Sequence, residues 1–160
     1  MSDDALVPLT VIAATAAGLV GGVFFVFSTF VMQGLNRLRA SESVRAMQAV
    51  NVTAVTPPFM ALLFGTALLA AVLLVDAIVR WGEAGAGYQV AGAVLYGVPI
   101  ALTGGYHVPR NNALATVDPD APGTEAAWRR YATEWTRANH LRTAASAASC
   151  VMFILACRAV

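Results

Sequence analysis

The chain has 160 residues, of which 58% are hydrophobic and only 12% charged, and its mean hydropathy is +0.66. Such a composition excludes an ordinary soluble domain. A net charge of +1 gives no basic surface for nucleic acid, and all ten basic residues are arginine, which removes any lysine Schiff base or amine nucleophile.

Charge gathers in short segments separated by long apolar runs. Residues 5–36, 46–75 and 84–106 carry no Asp, Glu, Lys or Arg, nor do residues 143–157. These runs are too long for the 9–11-residue strands of a membrane barrel, and they do not alternate. The expected fold is all-α, a single four-transmembrane-helix bundle over residues 1–160. Spans are placed at about 8–35, 58–79, 88–106 and 138–158, with short interfacial helices at about 42–51 and 124–137. The acidic start, Met1-Ser2-Asp3-Asp4, and the length of the first run do not fit a cleavable signal peptide.

In the first span Ala14, Gly18 and Gly22 fall four apart and form a small-residue packing seam. Ser41 is placed to cap the first interfacial helix, on which Val44, Met47, Gln48 and Asn51 share one face. Gln48 and Asn51 then need partners, either a ligand or the third loop. Pro57-Pro58 suits the first turn of the second span. The third span ends in Gly104-Gly105-Tyr106-His107-Val108-Pro109-Arg110-Asn111-Asn112, where glycine and proline are expected to break the helix into a turn at the membrane surface. Beyond the turn at residues 118–123, Trp128, Tyr131 and Trp135 share a face expected to lie as an aromatic anchor at the interface. Cys150 and Cys157 lack any metal or redox spacing and are expected to be packing thiols.

The last span holds the densest polar cluster, Trp135-Thr136-Arg137-Ala138-Asn139-His140-Leu141-Arg142. Only fifteen residues separate Arg142 from Arg158, too few to cross a bilayer core, so Asn139, His140 and Arg142 must lie at or below the headgroups. Together with Gln48, Asn51, His107, Arg110, Asn111 and Asn112 they converge on one side of the bundle. Loops 1 and 3 carry eight of the ten arginines, against Arg80 and Arg158 opposite. The positive-inside rule puts those loops in the cytoplasm and both termini outside, in the cell membrane.

No Ser/His/Asp set or carboxylate pair is available at that mouth. A neutral histidine is a suitable base at neutral pH, and Asn and Arg donors beside it can stabilise an enolate or phenolate. His140 is therefore expected as general base, with Asn139 and Arg142 at the oxyanion. Gln48, Asn51, His107, Arg110, Asn111, Asn112 and Trp135 are expected to bind the substrate. A haem or copper site with His107 and His140 as ligands is an alternative, as is a non-catalytic membrane subunit that binds a partner. A homo-oligomer would use the small-residue seams.

Four motifs carry a resemblance to a family. They are Gly18-Leu19-Val20-Gly21-Gly22 followed by Phe24 to Ser28, Met47-Gln48-Ala49-Val50-Asn51, Val108-Pro109-Arg110-Asn111-Asn112-Ala113-Leu114, and Trp135-Thr136 with Asn139-His140-Leu141-Arg142-Thr143. They resemble the DUF1772 or anthrone oxygenase-like family of small four-helix membrane proteins. The resemblance implies oxidation of an apolar phenolic or polycyclic substrate of the anthrone kind with dioxygen and no added cofactor. It maps onto Asn51, Asn111, Asn139, His140 and Arg142. The chain departs from the family pattern at Arg110, where leucine is usual, at His107, where asparagine is common, and at Ala138, where tryptophan is common.

Overall fold

A computed structural model describes residues 3–159, with side chains from residue 5 onward. Every regular element among them is helical: α1 (Asp3–Val26), a π-helical segment (Phe27–Val31), α2 (Met32–Leu35), α3 (Ala40–Thr53), α4 (Pro57–Val79), α5 (Ala86–Leu102), a second π-helical segment (Thr103–His107), α6 (Val108–Ala115) and α7 (Thr124–Ala159). Four stretches are long and apolar enough to cross a membrane: Ala5–Leu35, Pro57–Val79, Ala86–Ala115 and Thr124–Ala159. Large apolar side chains such as Leu19, Phe25, Phe30, Leu68 and Val79 are more than half exposed on the outer faces. A soluble monomer rarely shows so much apolar surface, whereas a bilayer solvates it.

The local starts follow backbone chemistry. Pro57 opens α4 at a position whose N–H would have no acceptor anyway. The α3 helix begins two residues earlier than Ser41 would set it: Arg39 takes an extended conformation, and its N–H donates to Glu42 Oε2 at 3.1 Å. Gly85, at φ 85°, supplies the left-handed residue from which α5 starts.

The third span does not turn at its glycines. It widens: Val108 N–H donates to the Thr103 carbonyl five residues back, and the helix then continues into α6. Pro109 brings no N–H, and its ring would crowd the carbonyl four residues earlier. Gly104 and Gly105 have no side chains to obstruct the looser turn. The first span has the same device, with Met32 N–H donating to the Phe27 carbonyl. Side chains answer the carbonyls just ahead of both wide turns. Asn139 Nδ2 donates to Phe24 O (2.8 Å) and Thr29 Oγ1 to Phe25 O (2.7 Å); Thr103 Oγ1 donates to Pro99 O (2.6 Å) and His107 Nδ1 to Leu102 O (3.0 Å).

The 36 residues of α7 form one rod, so the separate interfacial helix expected at 124–137 is continuous with the last span. At 1.5 Å per residue the rod is about 54 Å long, well beyond the roughly 30 Å hydrocarbon core. Trp128, Tyr131 and Trp135 do not lie out on the interface. They pack with Met32, Val44, Met47 and Leu114 into a core beneath α3 and α6, which form a cap.

The larger core lies between the spans and includes Leu6, Ala17, Val20, Leu73, Tyr96 and Phe153. The α7 helix packs along both α1 and α5, α5 packs on α4, and α4 meets α1 only lightly. The seam on α1 uses Gly18 and Gly21. A Cβ on Gly21 would stand 3.2 Å from Ser146 Cβ, and one on Gly18 3.3 Å from Cys150 Sγ, whereas Gly22 faces open space. The structure thus corrects the expected spacing, with Gly21 taking the place of Gly22. Both cysteines are free and partly buried.

Candidate functional site

The light packing of α4 on α1 leaves a cavity of about 350 Å³ just below the cap. Its walls come from the end of α1, from α3, the first two turns of α4, the second π segment, α6 and α7. They are mostly apolar, with Phe24, Phe27, Met47, Phe59, Leu63 and Phe64 among them. The polar residues are Asn51, Thr103, His107, Asn111, Trp135 and Arg142. The exposed residues of the lining are Val23 (37%), Phe64 (54%), Val108 (43%) and Val55 (68%), with Ala54 beside the last.

His107 is placed by the widened turn and is 2% exposed. Its Nδ1 lies 3.0 Å from the Leu102 carbonyl, which can only accept. Nδ1 therefore carries the proton of the neutral ring, and Nε2 keeps its lone pair. Nε2 is buried and has no hydrogen-bond partner; the Trp135 backbone is nearby but does not close a well-aligned bond. The Trp135 ring meets the His107 ring edge-on, with centroids 5.1 Å apart at 88°.

Asn111 is anchored from below. Its Oδ1 accepts from Tyr131 Oη at 2.9 Å and Trp135 Nε1 at 3.1 Å. Asn51 Nδ2 reaches the same Tyr131 hydroxyl at a long 3.5 Å. With Oδ1 committed to two donors, what Asn111 can offer a ligand is its amide N–H groups.

Arg142 is 6% exposed and lines the cavity. Its guanidinium stacks 3.7 Å over the Phe24 ring, and its Nε is buried without a hydrogen-bond partner. It forms no ion pair with any described residue, whereas the half-buried Arg110 is bonded to Glu134 and Arg80 to Asp76 and Glu83.

Five expected site residues lie elsewhere. His140 is exposed on the outer face of α7 and does not line the cavity. Trp135, Asn139 and Arg142 share one face at spacings of four and three, and the residue directly after Asn139 is turned about 100° away from it. His107 and His140 thus do not share the cavity wall, and no group of three or more His, Cys, Asp or Glu side chains that could hold a metal ion occurs among the described residues. Asn139 is fully buried but points at α1, where Nδ2 holds Phe24 O and, at 2.9 Å, Ser28 Oγ. It is a clip between helices.

Gln48 Nε2 donates to the carbonyls of Leu114 (2.9 Å) and Val117 (3.0 Å), tying α3 to the end of α6. Arg110 stacks on Tyr106 at 3.3 Å and pairs with Glu134 at 3.0 Å, away from the cavity. Asn112 is exposed. The apolar wall from α4, Phe59, Met60, Leu63 and Phe64, was not anticipated; the spacing of Phe59 and Leu63 by four, at the start of the most hydropathic span, was the available signal.

Comparisons with curated proteins and with solved structures found no match. The family described as anthrone oxygenase matches residues 52–152, and this stretch contains His107, Asn111, Trp135 and Arg142. The match covers well over half of the chain, which therefore belongs to the anthrone oxygenase family.

Proposed function

We propose that this protein is an integral membrane oxygenase that oxidises an apolar phenolic or polycyclic, anthrone-like substrate with dioxygen, with His107 as the general base. The observation that carries the reading is the place of His107 in the wall of an apolar cavity, with Nδ1 held by the Leu102 carbonyl and Nε2 buried without a hydrogen-bond partner of good geometry. Family membership supports an oxygenase role, and the mostly apolar lining suits an apolar substrate.

In the proposed reaction Nε2 takes a proton from the activated methylene carbon. The carbanion spreads onto the ring carbonyl as an enolate, whose oxygen accepts from the Asn111 amide. One electron passes from the enolate to dioxygen, and the resulting superoxide joins the carbon radical to form a C–O bond. The peroxide takes the proton back from His107. Loss of the second C–H proton, cleavage of the O–O bond and departure of water leave the new carbonyl. In sum, CH₂ and O₂ become C=O and H₂O. The cap of α3 and α6 is assigned to the cytoplasmic side.

The test is oxygen consumption with an anthrone in membranes containing the wild type, His107→Ala or His140→Ala. Loss of a general base costs about 10²- to 10⁴-fold, so His107→Ala should fall by that factor and His140→Ala should keep wild-type turnover. Full turnover in His107→Ala would remove the base role, and loss confined to His140→Ala would return it to that residue.

A further inference from the structure

Arg142 is a buried cation that lacks a counter-ion. At 6% exposure it has left water, and an isolated charge in such a place is costly unless something of opposite sign meets it. No Asp or Glu lines the cavity. Of the two acids on the same helix, Glu125 pairs with Arg129, and Glu134 is held by Arg110 and Arg130, both at 3.0 Å. The Phe24 face provides a cation–π contact at 3.7 Å, which helps an already desolvated guanidinium but carries no net charge. The remaining space beside Arg142 is the cavity itself.

We infer that the cavity takes an anionic ligand: a flat aromatic body bearing a carboxylate or an ionised phenol, whose oxygens pair with Arg142. Guanidinium donors match the two oxygens of a carboxylate in their plane. The walls select the body. Phe24, Phe27, Phe59, Phe64 and Trp135 line a space of about 350 Å³, at the small end of ligand pockets, and aromatic walls of this kind favour a flat fused-ring system over a flexible acyl chain. The charge on the ligand is present before any chemistry, unlike the enolate that forms at His107. It would fix which edge of the ring system faces the base. The inference rests on the proposed function only for which carbon is presented to His107; the binding itself does not depend on turnover.

The experiment is calorimetric titration of the purified protein in lipid nanodiscs, with empty nanodiscs subtracted. Three probes are compared: 9-anthracenecarboxylate, the neutral 9-anthracenemethanol with the same rings, and palmitate. The wild type is expected to bind the aromatic acid at least tenfold more tightly than the alcohol and more tightly than palmitate. Arg142→Gln should lose the gap between acid and alcohol while still binding the alcohol, and Arg142→Lys should keep part of it. Equal affinities for acid and alcohol in the wild type, or a gap that survives in Arg142→Gln, would overturn the anion assignment. Palmitate binding more tightly than the aromatic acid would overturn the flat-body assignment. If Arg142→Gln does not fold, the wild-type comparison decides alone. A protein that shows the gap but consumes no oxygen would refute the oxygenase reading and leave this one standing.

Discussion

Gly92 brings α5 tightly against Phe153 of α7, and replacing it with alanine tests that packing. A Cβ at this position would stand 2.8, 2.9 and 3.1 Å from Cε1, Cδ1 and Cζ of Phe153. Phe153 is completely buried, so its ring cannot swing into solvent. To restore ordinary contact the ring must retreat by roughly half an ångström into a packed core, or the helices must part. Forcing one extra carbon into such a core costs about 1–3 kcal/mol. The parting would also strain Ser149 Oγ, which donates to the Gly92 carbonyl at 2.7 Å. The assay is reversible unfolding in mixed detergent micelles, followed by tryptophan emission. Gly92→Ala should lower the unfolding free energy by about 1–3 kcal/mol. Phe153→Leu frees space at the ring edge, so the double variant should lose less than the sum of the two single variants. A Gly92→Ala protein as stable as the wild type, or strictly additive losses, would refute the contact.

Asn139→Ala removes the clip that reaches Phe24 O and Ser28 Oγ, and should destabilise the protein by about 1–3 kcal/mol in the same unfolding assay, with the folded fraction still binding ligand. Gln48→Leu releases the two carbonyls at the end of α6, and should speed proteolysis of the loop at residues 116–123 while costing about 1 kcal/mol of stability. Val23→Trp adds bulk at an exposed residue of the cavity wall, and should raise KM several-fold with kcat little changed, as read by oxygen consumption.

The four spans were legible because their signal is long and redundant: uncharged runs of this length have no soluble solution. The cap was half legible. The spacing of Trp128, Tyr131 and Trp135 shows that they share a face, but periodicity cannot tell a face turned to lipid headgroups from one covered by α3 and α6. The amide of Gln48 was a hint to the second outcome, since it needed acceptors and found two carbonyls sixty-six and sixty-nine residues away. The wide turns were not legible. A π segment shifts the bonding pattern by one residue; the first is sustained by a tertiary contact, Asn139 from α7, and the second by bonds of Thr103 and His107 to carbonyls four and five residues back, which a regular helix would not signal in advance.

The two histidines show where sequence proximity misleads and helix geometry does not. His140 sits beside Asn139 and two residues before Arg142, which invites treating the three as one unit. On a helix, however, residues three and four apart are neighbours, and residues one or two apart are not. The spacing 135, 139, 142, 146, 149 alternates four and three and marks the inward face, all of it buried in the structure. His140 falls outside that series, as its exposure shows. His107 gave the weaker sequence signal because it follows two glycines and precedes a proline, a context that reads as loop. That context is what permits the widened turn, and the widened turn brings Leu102 O within reach of Nδ1. A regular α-helix would have offered the ring the carbonyls three and four residues back. The helix defect and the free basic nitrogen are therefore one feature, and a substitution that straightens the turn should cost His107 its tautomer before it costs the bundle its fold.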